Sequence, residues 1–135
     1  MPKIIKINHV ALVVENIEDA LGFWQDCLGI PINRVSETPQ EHARIAFLPV
    51  GEAEIELVQP TSEESGVARY LSKRGPGMHH ICLEVDDIQG MVETLLKKGA
   101  QLIQDVPVVG EDGRKYIFIH PKSANGVLVE LYELP

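Results

Sequence analysis

Two stretches of this chain repeat one another. HVALVVENIEDALGFWQDCLG begins at His9, and HICLEVDDIQGMVETLLKKG begins at His80. Aligned, His9 falls on His80, Leu12 on Leu83, Val14 on Val85 and Ile17 on Ile88. A period near half the chain specifies a fused pair of modules and not a solenoid. Whatever one half folds into, the other half is predicted to fold into as well. At 135 residues the pair is the size of one compact domain. A chain of about 150 residues buries about two-thirds of its unfolded surface, so the core is expected to need neither disulfide nor metal to stay folded.

Residues 4–14 alternate as a strand, with Val10, Leu12 and Val14 on one side and His9, Ala11 and Val13 on the other. Asn16 is placed to cap a helix, with Asp19 at its third position. Ile17, Ala20, Leu21, Trp24 and Leu28 then recur at helical spacing until Gly29 stops it. Strands are predicted at Ile32 to Val35, Ala43 to Val50 and Ala53 to Gln59. A polar loop, SETPQEH, follows the first, and a hairpin at Gly51-Glu52 joins the other two. TSEESGVARYLSKRG reads as a short connecting helix capped by Thr61 or Ser62. Its acids fall in the first turn and Lys73 and Arg74 in the last, an order that suits the helix dipole.

The second copy repeats the plan. It gives a strand from His80 to Val85, a cap at Asp87, and an apolar helix face of Ile88, Met91, Val92, Leu95 and Leu96 that ends at Gly99. Strands are predicted at Gln101 to Gln104, Lys115 to His120 and Val127 to Glu133. The expected fold is α+β, a single domain over 1–135 built from two tandem βαβββ modules, about 4–60 and about 78–135. One module is too small to complete a core. Two joined edge to edge would form a curved mixed sheet around a metal-binding cavity, with helices outside.

Composition narrows the partners. A net charge of −8 with no cluster of Lys or Arg argues against nucleic acid, although it leaves room for one small phosphorylated ligand. The longest apolar runs, Val10 to Val14 and Ile117 to Ile119, are strand-sized, far below the roughly 20 residues of a membrane helix. MPKIIKINH enters a strand pattern at once, without a signal-peptide core. Cys27 and Cys82 sit in unlike settings, which predicts buried free thiols in a reducing compartment. That is the cytoplasm, or an organelle matrix if a transit peptide has been removed.

The chemistry follows from strand parity. His9 and His80 point away from the helix-packing triplets, so both are expected to face the cavity. A single strand histidine is more often structural than a ligand, but two at equivalent places in a repeat converge under pseudo-twofold symmetry. The last strands, EIELVQ and LVELYE, align Glu56 with Glu130. The offset between the histidines is 71 residues and between the glutamates 74, a difference one short loop absorbs. Glu130 stands in the apolar run VLVELYEL, where a carboxylate is costly unless paired or metal-bound. Glu56 shares its parity with Glu52 and Glu54, so a solvated acidic face is equally open for it. Two imidazoles and two carboxylates suit Zn²⁺, Co²⁺, Ni²⁺, Mn²⁺ or Fe²⁺. They would leave two octahedral positions for water or a chelating substrate, the arrangement of a Lewis acid that stabilises a developing enolate.

INHVALVV, IELVQP, GPGMHHICLEVDDI and the tail HPKSANGVLVELYE together resemble the vicinal oxygen chelate superfamily. Within it they are most similar to the methylmalonyl-CoA epimerases, over nearly the whole chain. MHHICLEVDDI combined with HPKS and GVLVEL is the most specific part. The resemblance implies paired βαβββ modules and interconversion of the (R) and (S) forms of a CoA thioester substrate. It also implies a divalent metal, with cobalt favoured, and a homodimer. The family's ligands fall on His9, Glu56, His80 and Glu130, with His80 the ligand of the His79-His80 pair, and Glu130 is the expected acid/base group. A glutamate that some members carry near Ile45 is replaced here by ARIAFL, with Glu41 and His42 in the preceding loop. Lys122, with Ser123 beside it, is the expected contact for the nucleotide phosphates, against plain solvation of a turn lysine. The rivals are a glyoxalase I type of isomerase using the same ligands and a metal-free small-molecule binding protein of the same fold.

Overall fold

The computed structural model describes residues 1–135, the side chain of Gln40 excepted. Its strands are β1 (Ile4–Val13), β2 (Arg34–Thr38), β3 (Ala43–Val50), β4 (Ala53–Pro60), β5 (Gly77–Val85), β6 (Val108–Val109), β7 (Lys115–Ile119) and β8 (Val129–Glu133). The α-helices are α1 (Ile17–Leu21), α2 (Gly66–Arg74) and α3 (Ile88–Lys97). Each copy of the repeat therefore runs β-α-β-β-β, with α2 between them, and the α+β class is the one expected. The chain divides into two compact units, Val10–His79 and Met1–His9 with His80–Pro135. The boundary falls inside β1.

In the unit Val10–His79 the strand order is β2-β3-β4-β1. Alternation along the strands splits the apolar residues between two clusters. Val14, Ile17, Ala46, Leu48 and Leu57 pack with Leu21 and Trp24 on the α1 side, and Ala11, Ala43, Ile45 and Val58 pack with Phe47 and Val67 on the other. Asn16 caps α1 as predicted, its Oδ1 accepting the Asp19 N–H at 3.0 Å. The helix is not α throughout. From Gly22 to Cys27 it widens into a π-helix, in which the Leu28 N–H reaches the Phe23 carbonyl at 3.0 Å. The wider turn keeps Trp24 on the core cluster and leaves Cys27 exposed, so only Cys82 is the buried thiol that was expected; neither forms a disulfide.

Two further boundaries differ from the sequence reading. β2 begins at Arg34, two residues after the predicted Ile32, and runs through the first part of the polar loop. It is the edge strand of its unit, with Arg34 and Glu37 exposed and Ser36 and Thr38 half-buried, while Ile32 packs onto the α1 cluster. α2 starts later than predicted. Ser65, and neither Thr61 nor Ser62, is the cap, accepting the Ala68 N–H at 3.0 Å. Ser62 instead accepts from the Glu64 N–H and the Ser65 hydroxyl in a preceding turn. The acids consequently lie ahead of the helix, while Lys73 and Arg74 do occupy its last turn.

In the other unit the order is β1-β5-β8-β7-β6. β5 and β8 run parallel, pairing Ile81 with Val129, Cys82 with Glu130, Leu83 with Leu131 and Glu84 with Tyr132. Val85, Ile88, Val92, Ile117 and Leu131 form the core beneath α3. Asp87 caps that helix through the Gly90 N–H at 3.0 Å. A Cβ at Gly90 would collide with the Asp87 carboxylate, which explains the glycine. The strand predicted at Gln101 to Gln104 reduces to a single bridge, Leu102 to Ile119. Side chains take over its ladder: Gln104 Oε1 accepts the Phe118 N–H and Ser123 Oγ accepts the Gln101 N–H, each at 2.8 Å.

One correspondence ties the halves to a common plan. The Ile17 N–H donates to Gln59 Oε1 at 2.8 Å, and the Ile88 N–H donates to Glu133 Oε1 at 2.8 Å. Each helix is thus anchored by an oxygen from the last strand of its own copy. The separation of Gln59 and Glu133 is again 74 residues, which supports the alignment of Glu56 with Glu130. Among the described residues, no helix is long and apolar enough to cross a membrane.

Candidate metal centre

Two buried side chains, His9 and Glu130, and the half-buried His80 converge in the unit Met1–His9 with His80–Pro135. His9 Nε2 lies 3.1 Å from His80 Nε2 and 3.3 Å from Glu130 Oε1, and His80 Nε2 lies 3.1 Å from the same oxygen. Strand geometry accounts for this. The parallel register sets Cys82 opposite Glu130, and His80, two residues before Cys82, shares its face. Phe118 meets the His80 ring edge-on at 5.3 Å and Tyr132 meets His9 at 6.2 Å, fixing the planes of both imidazoles. His9 Nδ1 stands 2.8 Å from Asn8 Oδ1.

The electrostatics are those of a buried anion held by two rings. Burial pushes the Glu130 carboxyl up, but the hydrogen bonds to His80 and His9 outweigh it and hold the group at about 2. Burial also raises the Tyr132 phenol, which keeps it a neutral donor beside the site.

The donor set fits a divalent cation. Ligand atoms about 2.1 Å from a common ion and about 95–105° apart lie about 3.1–3.3 Å from one another. Those are the spacings of the two nitrogens and the carboxylate oxygen here. A carboxylate and the lone pairs of two imidazoles repel at such distances unless positive charge is shared among them, and a proton or a cation can supply it. Nitrogen with oxygen favours Zn²⁺, Co²⁺, Ni²⁺, Mn²⁺ or Fe²⁺.

The remaining expected residues are dispersed. Glu56 lies in the unit Val10–His79, on β4 opposite Phe47. At 9% exposure it is buried, so the solvated-face alternative fails for it. His79 faces away from its neighbour and meets the Tyr70 ring edge-on at 4.9 Å. Ile45 is buried, while Glu41 and His42 are exposed in a 3-10 turn and its cap, so neither restores an acid at Ile45. Lys122 is exposed, its N–H donating to His120 Nδ1 at 3.0 Å, and Ser123 beside it already accepts from Gln101.

Cys82 was missed as a site residue. One ligand atom each from His9, Cys82 and Glu130 lie within 4.8 Å of one another. Glu84 was missed as well; it is buried and accepts from Asn8 Nδ2 at 3.1 Å. The signal was in the repeat. Cys82 and Glu84 share the parity of His80 and stand where the first copy has Ala11 and Val13.

With this geometry in hand, comparison with known proteins is decisive. The family model of the Glyoxalase/Bleomycin resistance protein/Dioxygenase superfamily matches residues 8–118. The mitochondrial methylmalonyl-CoA epimerase of Mus musculus is 38% identical over 96% of this chain and 73% of its own length. The chain belongs to the methylmalonyl-CoA epimerase family of that superfamily. The crystal structure of the Mycobacterium tuberculosis epimerase is similar at 32% identity and a TM-score of 0.88, covering 98% of this chain and 89% of that one. A methylmalonyl-CoA epimerase in complex with methylmalonyl-CoA and NH4+ is similar at 27% identity and 0.88, covering 98% and 96%. The superfamily match stops at residue 118, short of Glu130, and the epimerase matches extend over the tail that carries it.

Proposed function

We propose that this epimerase interconverts (R)- and (S)-methylmalonyl-CoA at a divalent metal held by His9, His80, Glu130 and Glu56. The observation that carries the reading is the triangle of His9 Nε2, His80 Nε2 and Glu130 Oε1, spaced at 3.1–3.3 Å. Glu56 joins it as the counterpart of Glu130 in the repeat and as a buried carboxylate. The proposal includes cobalt as the favoured ion, a homodimer and a cytoplasmic setting. Exposed Ile4, Ile5 and Ile7 on β1 support the dimer, and two cysteines without a disulfide suit a reducing compartment.

The proton to be moved lies on a carbon between a thioester and a carboxylate. When bound, the cation supplies charge neutralisation at the thioester oxygen as the enolate develops. Glu130 is the proposed acid/base group. Held at about 2, it stays in its proton-accepting form throughout the working range, but it is a weak base, so abstraction depends on the substrate being acidified. Tyr132 and Phe118 shield the two rings from solvent on their own unit. Lys122 is the proposed phosphate contact, supported by its exposure at the tip of the 121–123 turn.

The test is solvent exchange. Metal-loaded protein incubated with methylmalonyl-CoA in deuterated water should exchange the α-proton, followed by proton NMR, and Glu130→Gln should abolish it. Absence of exchange, with turnover of methylglyoxal and glutathione instead, would overturn the epimerase reading in favour of a glyoxalase I type of isomerase.

A further inference from the structure

We propose that Asn8 and Glu84 form a relay that fixes which nitrogen of His9 carries its proton, and so holds the Nε2 lone pair toward His80 and Glu130. The inference rests on the reading that these three residues hold a cation.

Each link follows from what its groups can do. A carboxylate only accepts hydrogen bonds, and an amide has one donating and one accepting end. Glu84 is buried, so it requires donors, and Asn8 Nδ2 donates to its Oε1 at 3.1 Å. That orientation turns Asn8 Oδ1 toward His9, 2.8 Å from Nδ1. Facing an oxygen, Nδ1 has to carry hydrogen. A neutral imidazole protonated on Nδ1 presents its lone pair at Nε2, the atom nearest His80 and Glu130. Without the relay the ring could place its proton on Nε2, the atom that has to ligate. Second partners of ligating histidines act in this way, and here the partner is an amide whose own direction is dictated by a buried carboxylate.

The repeat shows that the device belongs to one histidine. Asn8 aligns with His79, and Glu84 aligns with Val13. Neither half of the relay is repeated in the other copy, so the pair serves His9 and has no equivalent at His80.

The test uses metal-free protein labelled with ¹⁵N, in which long-range ring correlations report the protonated nitrogen of His9 at a fixed neutral pH. Calorimetric titration with Co²⁺ follows on the same samples. The wild type should show Nδ1–H. Asn8→Ala should show mixed tautomers and bind Co²⁺ about 10–100-fold more weakly. Glu84→Gln, which lets the amide turn over, should give partial mixing. The double variant Asn8→Asp with Glu84→Gln exchanges amide and carboxylate, so that the acceptor-only group now stands next to the His9 ring and accepts from both sides. It should return His9 to Nδ1–H and recover Co²⁺ affinity to within a few-fold. If Asn8→Ala does not fold, Glu84→Gln and the double variant carry the test alone. A wild-type His9 whose Nδ1 carries no hydrogen would overturn the proposal, as would unchanged Co²⁺ affinity in both single variants. None of these readouts requires turnover, so the relay can fail while α-proton exchange persists, and exchange can fail while the tautomer holds.

Discussion

Acid titration of the metal-free protein isolates the charge at the centre of the site. Glu130 moves from an ordinary 4.5 in the unfolded chain to about 2 in the fold, because the hydrogen bonds to His80 and His9 outweigh the burial that opposes them. A carboxyl more acidic when folded stabilises the fold above its unfolded value, and the contribution disappears as pH falls from 4.5 toward 2. The displacement corresponds to about 3 kcal/mol, a large fraction of a typical domain's stability of about 5–15 kcal/mol. The assay is urea unfolding in the presence of chelator at steps between pH 6 and pH 2, for the wild type and Glu130→Gln. Losses common to both proteins, such as those from the Glu18–Arg44 pair, cancel in the difference. The wild type should lose about 3 kcal/mol more than the variant over that interval, with most of the divergence below pH 4.5. Parallel curves would refute the reasoning, since they would mean that the two histidines do not stabilise the carboxylate in the folded state.

Other expectations follow from the same structure. Co²⁺ at a hundred times its dissociation constant should stabilise the protein by about 2.7 kcal/mol; the shift in melting temperature should reverse with chelator and shrink at acid pH, where histidines must shed protons to bind. Leu48→Ala empties a fully buried position in the α1 cluster and should cost about 2–5 kcal/mol in urea unfolding, without changing Co²⁺ affinity. Lys122→Ala should raise KM for the CoA thioester several-fold at unchanged kcat, while a substrate lacking the nucleotide should show no difference.

Much of this was legible in the sequence because alternation and repetition are strong signals. His9, His80 and Glu130 were set on the correct faces by counting twos along three strands, and the caps Asn16 and Asp87 by their place before apolar helices. What failed has physical causes. The π-helical turn at Gly22–Cys27 preserves an apolar pattern that an α-helix would also satisfy, so nothing in the spacing reports it. The segment 101–104 looks like a strand, but Gln104 and Ser123 side chains supply hydrogen bonds that a ladder would otherwise provide. The cap of α2 was misplaced because Thr61, Ser62 and Ser65 are all competent, and only packing chooses among them. Cys82 and Glu84 were overlooked because the repeat was read for its agreements, whereas their departures from Ala11 and Val13 were the informative positions.

The boundary inside β1 has a consequence for the order in which the protein assembles. Residues 10–79 are contiguous, so every contact within that unit is available once they have been made. The unit holding His9, His80 and Glu130 takes residues 1–9 from one side of that segment and residues 80–135 from the other. Bringing His9 to His80 closes a loop of 71 residues, at an entropic cost of about 4 kcal/mol for a flexible chain. Contacts formed within the intervening unit lower that cost, because they restrict the chain before the two rings meet. His9 therefore meets His80 and Glu130 only after all of residues 10–79 have been made.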